Sequence, residues 1–182
     1  RDAGAYVGDA LAVIRDTGTC FDSQVPSNMI FKDRFPKVSF ETAPRFRALE
    51  IYKLNSWEEM VSALVLGIPC VSGLAIGHNF TQGRLKDNGL APLPDIVVGG
   101  HCICHIGIKR LDSKWTVHTV NSWSGSWGLD GCCYLQKEHY SPGFGFQFDA
   151  FAIYSVIDDP GTDDDNPRVI PIEDEQNGRC EV

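Results

Sequence analysis

The sequence predicts an α+β chain, with a helical first half followed by mostly antiparallel strands. Residues 5–15 and 57–65 carry apolar side chains at helical spacing, with stop signals just beyond them at Gly18 and at Gly67 and Pro69. From Cys70 onward, short apolar stretches of strand length are separated by glycine, asparagine and aspartate. The length, 182 residues at 43% hydrophobic and 22% charged, suits one domain with a buried core.

The first helix, residues 5–15, is expected to bury Tyr6, Ala10, Val13 and Ile14, with Asp2 as its cap. Cys20 to Ala43 has no sustained period and reads as a surface excursion, with a short extended piece at 38–40. Residues 48–54 alternate as a strand. Ser56-Trp57-Glu58-Glu59 is a capping box that opens a helix burying Met60, Val61, Leu64 and Val65. Residues 70–76 are apolar enough for a central strand, and His78 to Pro94 reads as a long loop walling a cleft. Strands follow at 96–98 running into 101–108, at 115–120 and at 132–136. The first two long strands form a hairpin about Leu111-Asp112-Ser113-Lys114. Late strands are expected at 144–148 and 150–156.

The formal net charge is −8, but nine of the 24 acids lie in residues 158–182, against Arg168 and Arg179. We therefore expect a domain at 1–157 and a solvated acidic arm at 158–182. The body has no basic stripe and no apolar run near the ~20 residues of a membrane helix, so neither nucleic acid nor membrane is an expected partner. The start, Arg1-Asp2-Ala3-Gly4, has no initiator methionine and no signal-peptide pattern, so an upstream piece is expected. Seven cysteines include no CxxC pair. Cys102 and Cys104 share a strand face, adjacent Cys132 and Cys133 face opposite ways, and buried thiols are the expectation. His101 and His105 on one strand do not converge on a metal, and the residues call for no metal and no cofactor. Asn79-Phe80-Thr81 is a formal glycosylation sequon.

Two residues carry the chemistry. His101 follows Gly99-Gly100, which let a neighbouring or substrate backbone pass close. Alternation puts His101, Ile103 and His105 on one face, while Asn121 closes the facing strand level with His101. An Asn side-chain oxygen accepting one imidazole N–H would fix the tautomer and leave the other nitrogen for proton transfer, with Trp123 covering the pair. Spacing alone leaves the alternative open that His101 is a core histidine and Asn121 a turn residue. His105 and His118, mid-strand, read as core histidines.

Gly99-Gly100-His101 ahead of an apolar strand, then Asn121-Ser122-Trp123-Ser124-Gly125-Ser126-Trp127-Gly128 and Gly131-Cys-Cys-Tyr, resemble the C-terminal half of papain-like cysteine peptidases, in the style of their microbial and viral members. Gly4-Ala5-Tyr6, Leu54-Asn-Ser-Trp and residues 150–156 extend the resemblance over roughly 1–157. It implies a papain-like fold with a β-barrel-like antiparallel sheet carrying His101 and Asn121. It further implies His101 as general base, Asn121 as its orienter and Trp123 as its cover. Trp127 would be structural with some leaving-group contact, and Gly4, Ala5 and Gly100 would line the substrate cleft. The family's nucleophilic cysteine and oxyanion glutamine would precede Arg1. None of the cysteines present takes the nucleophile's place, and Ser124 stands where the family has glycine.

Two functions follow. One is a cysteine peptidase acting on peptides or proteins, its nucleophile on a missing upstream or separately processed segment. The other is a non-catalytic papain-like module in a larger assembly such as a virus particle. Either way, the loss of a central helix would expose apolar surface costing many kcal/mol at ~25 cal/mol per Å². The chain's own upstream segment or another chain is therefore expected to complete the fold.

Overall fold

The computed structural model describes residues 5–21, 23–26, 35–144 and 148–158. They fall into two compact units, one of residues 5–51 with 154–158 and one of residues 52–153. The expected acidic arm lies outside the described residues, apart from Asp158. No described helix is long and apolar enough to cross a membrane. The strands are β1 (Phe46–Leu54), β2 (Cys70–Gly77), β3 (Val97–Leu111), β4 (Lys114–Val120), β5 (Cys132–Gln136) and β6 (Asp149–Asp158). They form one sheet in the order β1-β6-β2-β3-β4-β5. β6, β2, β3, β4 and β5 pair antiparallel in turn. The sheet is open, which corrects the barrel-like closure expected above: the last strands in the order, β1 and β5, are not neighbours.

In the first unit, helix α1 (Val7–Asp16) buries Val7 and Leu11, with Ile14 half-buried. The expected stripe is displaced by one position, for Tyr6 is 80% and Val13 57% exposed. Asp2 lies outside the described residues, and Tyr6 at the cap position makes no side-chain cap bond. Gly18 stops the helix at φ +96°, and a Cβ there would sit 1.8 Å from the Ala43 carbonyl oxygen, so only glycine fits. Thr19 N–H then donates to the Phe46 carbonyl at 2.9 Å. Residues 38–40, expected as extended, instead lie in helix α2 (Lys37–Thr42). Pro36 stands at its N-cap, and the Ser39 hydroxyl donates to the Pro36 carbonyl at 2.6 Å, a local bond that sets the first turn.

The second unit holds the larger core. Ser56 caps helix α3 (Trp57–Val65) by accepting from Glu59 N–H at 3.1 Å. Glu59 reaches back to Asn55 N–H at 2.7 Å, one residue earlier than a strict capping box requires. Trp57, Met60, Ala63 and Leu64 face the core, while Val65, expected inside, is 62% exposed. β2 lies between β6 and β3 and supplies Cys70, Ser72, Leu74 and Ile76 to the same interior. β3 and β4 join through Asp112 and Ser113 at φ 49° and 65°, the paired left-handed residues of a tight hairpin turn. A bulge between His105 and Gly107 moves β3's inward positions from odd to even numbers, so Ile103 and His105 face in before it and Ile108 packs inward after it.

Two parts of the chain depart further from expectation. The stretch 78–94 begins with a short helix, α4 (His78–Thr81), and then runs beside β5. Tyr134 N–H donates to Gly89 O and Ala91 N–H donates to Tyr134 O, both at 2.9 Å, forming a parallel bridge that buries Leu90. Phe144, expected in a strand, ends a 3-10 turn at Pro142–Phe144, and residues 145–147 lie outside the described set. Among the six described cysteines, Cys132 is disulfide-bonded and the other five are free thiols.

Candidate active site

His101 and Asn121 meet because two strands of one hairpin end together. β3 carries His101 opposite Leu74 of β2, and β4 pairs with β3 up to Cys104 opposite Val120. The residue after Val120 therefore overhangs toward the start of β3. Asn121 N–H donates to Gly131 O at 2.9 Å, which holds this overhang in place.

Nε2 of His101 lies 2.8 Å from Oδ1 of Asn121. The same oxygen accepts the Ser122 backbone N–H at 2.9 Å. A backbone amide can only donate, so the Asn121 oxygen must face it, and His101 must carry its proton on Nε2. In the neutral imidazole the lone pair is then on Nδ1, which has no hydrogen-bond partner among the described residues. This orientation leaves Asn121 Nδ2 buried without a partner among the described residues, at a cost of about 1–3 kcal/mol. Turning the amide over would set two donors against each other at Ser122, so the orphaned amine is the cheaper arrangement. Burial lowers the pKa of His101 and the Asn121 bond raises it, with burial the larger influence.

Around the pair lies an aromatic cluster. The Trp123 ring is 4.4 Å from the imidazole, centre to centre, at an interplanar angle of 33°. Trp127 meets Trp123 edge-on at 5.8 Å and donates Nε1–H to the Phe80 carbonyl at 2.9 Å. Phe80 touches His101, Trp123 and Trp127. Ser124 takes φ +74°, a left-handed conformation that glycine adopts without strain. Gly128 is obligatory, since a Cβ would come within 2.7 Å of the Cys132 carbonyl oxygen.

The other anticipated residues fall as follows. Trp127 is buried at 7% exposure, behind Trp123. Gly100 is exposed, opposite Ala75. Ala5 belongs to the first unit and is exposed there, and Gly4 lies outside the described residues. Phe80 was missed, because a lone aromatic inside a polar stretch read as a loop gives only a weak signal. His105 is a core residue. Its Nδ1 lies 2.8 Å from Thr119 Oγ1, and its Nε2 lies 2.7 Å from Ser72 Oγ and 2.9 Å from the Tyr140 hydroxyl. No described cysteine bonds to His101. Cys70 and Cys133 are buried, with thiol pKa values pushed up to about 12, while Cys102 is exposed on the opposite strand face.

No protein-family model matches the chain, and no curated protein matches its sequence. Solved structures do match it. Xylellain, a cysteine protease from Xylella fastidiosa, aligns with TM-score 0.65 at 21% identity, over 85% of this chain and 63% of its own. Bromelain from Ananas comosus aligns at 0.60 and 18% identity, over 84% and 71%. Procathepsin B from Trypanosoma congolense aligns at 0.57 and 18% identity, over 82% and 52%. The chain thus spans less than two thirds of xylellain and about half of procathepsin B. At these identities the likeness establishes architecture: this chain has the papain-like fold of cysteine proteases.

Proposed function

We propose that this chain carries the base and orienter of a papain-like cysteine peptidase site, with the thiol on an upstream or separately processed segment. The observation that supports this is the 2.8 Å contact of His101 Nε2 with Asn121 Oδ1, which leaves Nδ1 unengaged among the described residues. In the proposed chemistry Nδ1 takes the thiol proton and the thiolate attacks the peptide carbonyl carbon. The imidazolium returns that proton to the leaving amine. Water, deprotonated by the same nitrogen, then cleaves the thioester. Burial favours the neutral imidazole, the form that accepts a proton. Exposed Gly100 leaves room beside His101 for a peptide or protein substrate.

A second reading is a non-catalytic papain-like module within a larger assembly. It is favoured by the lack of any described thiol against His101 and by the burial of Cys70 and Cys133.

Intact mass and N-terminal sequencing of the natural product, followed by labelling with a thiol-directed epoxide, separate the two. A labelled cysteine on an upstream segment, together with peptide hydrolysis that vanishes in a folded His101→Ala variant, supports the peptidase. An upstream segment without cysteine, or undiminished hydrolysis in that variant, sinks it.

A further inference from the structure

The aromatic surroundings of His101 converge on Phe80, a residue of α4 that is 2% exposed. Its ring centre lies 6.2 Å from that of His101, 5.9 Å from Trp123 in an edge-on contact, and 4.8 Å from Trp127. Its carbonyl accepts the Trp127 indole N–H at 2.9 Å. One residue therefore touches the imidazole, its cover and the cover's support.

The turn that presents Phe80 is itself fastened. Phe80 N–H donates to Asn79 Oδ1 at 2.8 Å, and Asn79 Nδ2 donates to the Leu93 carbonyl at 2.7 Å. The Asp95 carboxylate accepts the Ile96 backbone N–H at 2.8 Å and also bonds the backbone of His78 and Asn79 at the start of α4. The sequon asparagine thus already serves as a brace, its amide nitrogen bound to Leu93.

We propose that Phe80 is a positioning residue for His101, its ring and carbonyl fixing Trp123 and Trp127 so that Nε2 stays on Asn121 and Nδ1 stays available to a thiol. The inference rests on the reading of His101 as a base. A residue that merely fills the core would lower stability when truncated and leave the imidazole's own chemistry alone. A positioning residue changes which nitrogen holds the proton and the pH at which the ring titrates. Burial and Asn121 are the two influences on that titration, and no charged side chain among the described residues contributes.

The test is ¹⁵N NMR of the His101 imidazole in the full chain, with and without Phe80→Leu. The parent chain is expected to hold the Nε2-protonated tautomer and to show contacts between the Phe80 ring protons and the imidazole; absence of those contacts overturns the proposal. Phe80→Leu admits water, so the midpoint should rise by about half a pH unit or more and the tautomers should mix. An unchanged midpoint and tautomer in a folded but less stable variant also overturns it. Should Phe80→Leu fail to fold, Trp127→Phe removes the bond to the Phe80 carbonyl and is expected to move the midpoint the same way; no movement refutes the proposal. None of these readouts uses a thiol, so a failed peptidase assay leaves the positioning result standing, and a failed titration leaves the peptidase assay untouched.

Discussion

The Ser72 hydroxyl lies 2.7 Å from Nε2 of His105, and both residues have no solvent exposure. Thr119 Oγ1 has its own carbonyl acceptor in Val117 at 3.3 Å, so it receives the His105 Nδ1–H, and a hydroxyl of Ser72 or Tyr140 donates to Nε2. In this arrangement the neutral imidazole has a partner at each ring nitrogen, while its burial disfavours the charged form.

Acid should therefore loosen the core. Burial pushes the pKa of His105 down to about 3, whereas the unfolded chain binds that proton near pH 6.5. Between those limits the unfolded state holds more protons, so stability falls as the pH drops from about 6.5 toward 3, by up to about 1.4 kcal/mol per pH unit from this group. Above pH 6.5 the contribution is complete. Urea midpoints at pH 7, 5.5 and 4 measure the slope. His105→Gln should start lower at pH 7 and decline less steeply. Some slope will remain, because burial lowers the pKa of His139 too.

Asn121→Asp should raise the midpoint of His101. A carboxylate in place of the amide keeps both acceptor contacts and favours the imidazolium, by about 1–3 pH units for a close opposite charge. Imidazole NMR over pH 4–9 reads this directly, and an unmoved midpoint would contradict the contact between these two side chains.

Native thiol chemistry should single out Cys102 over its neighbours. It is exposed, whereas Cys70 and Cys133 are buried and pushed up to about 12. Burial and Asp149 raise the Cys102 thiol as well, so its alkylation should be slow at pH 7 and quicken as the pH rises. Peptide mapping after brief iodoacetamide treatment at pH 7 and pH 9 tests the order, and modification of Cys133 ahead of Cys102 would reverse it.

Two local devices should carry measurable stability. Ser56→Ala removes the cap of α3 and is expected to cost about 1 kcal/mol in urea unfolding. Gly18→Ala combines positive φ with a 1.8 Å approach to Ala43 O and should cost at least about 2 kcal/mol.

The parts that could be read ahead were those governed by local rules. Strand alternation fixed which face of β3 holds His101, and the turn at Asp112-Ser113 set the hairpin that brings Asn121 level with it. Ser56 and Glu59 announced α3 by the backbone donors they satisfy. What stayed hidden depended on partners distant in sequence. In α1, two adjacent apolar stripes are available, and tertiary contact selects Val7 and Leu11 over Tyr6 and Val13. The bulge at 105–107 is marked only by Gly107, an isolated strand glycine that alternation alone passes over. The disulfide of Cys132 and the site contacts of Phe80 depend on which groups meet in space.

The segment beside β5 has a consequence for how this fold can vary. Read as a loop, residues 86–91 would be a natural place for insertions and deletions. Bonded to both sides of Tyr134, they keep a register instead. Removing one residue between Lys86 and Leu90 would pull the smaller Ala91 toward the place that Leu90 fills and leave that place underpacked. Length changes should therefore be confined to the stretches flanking this bridge, and its six residues should vary in identity without varying in number.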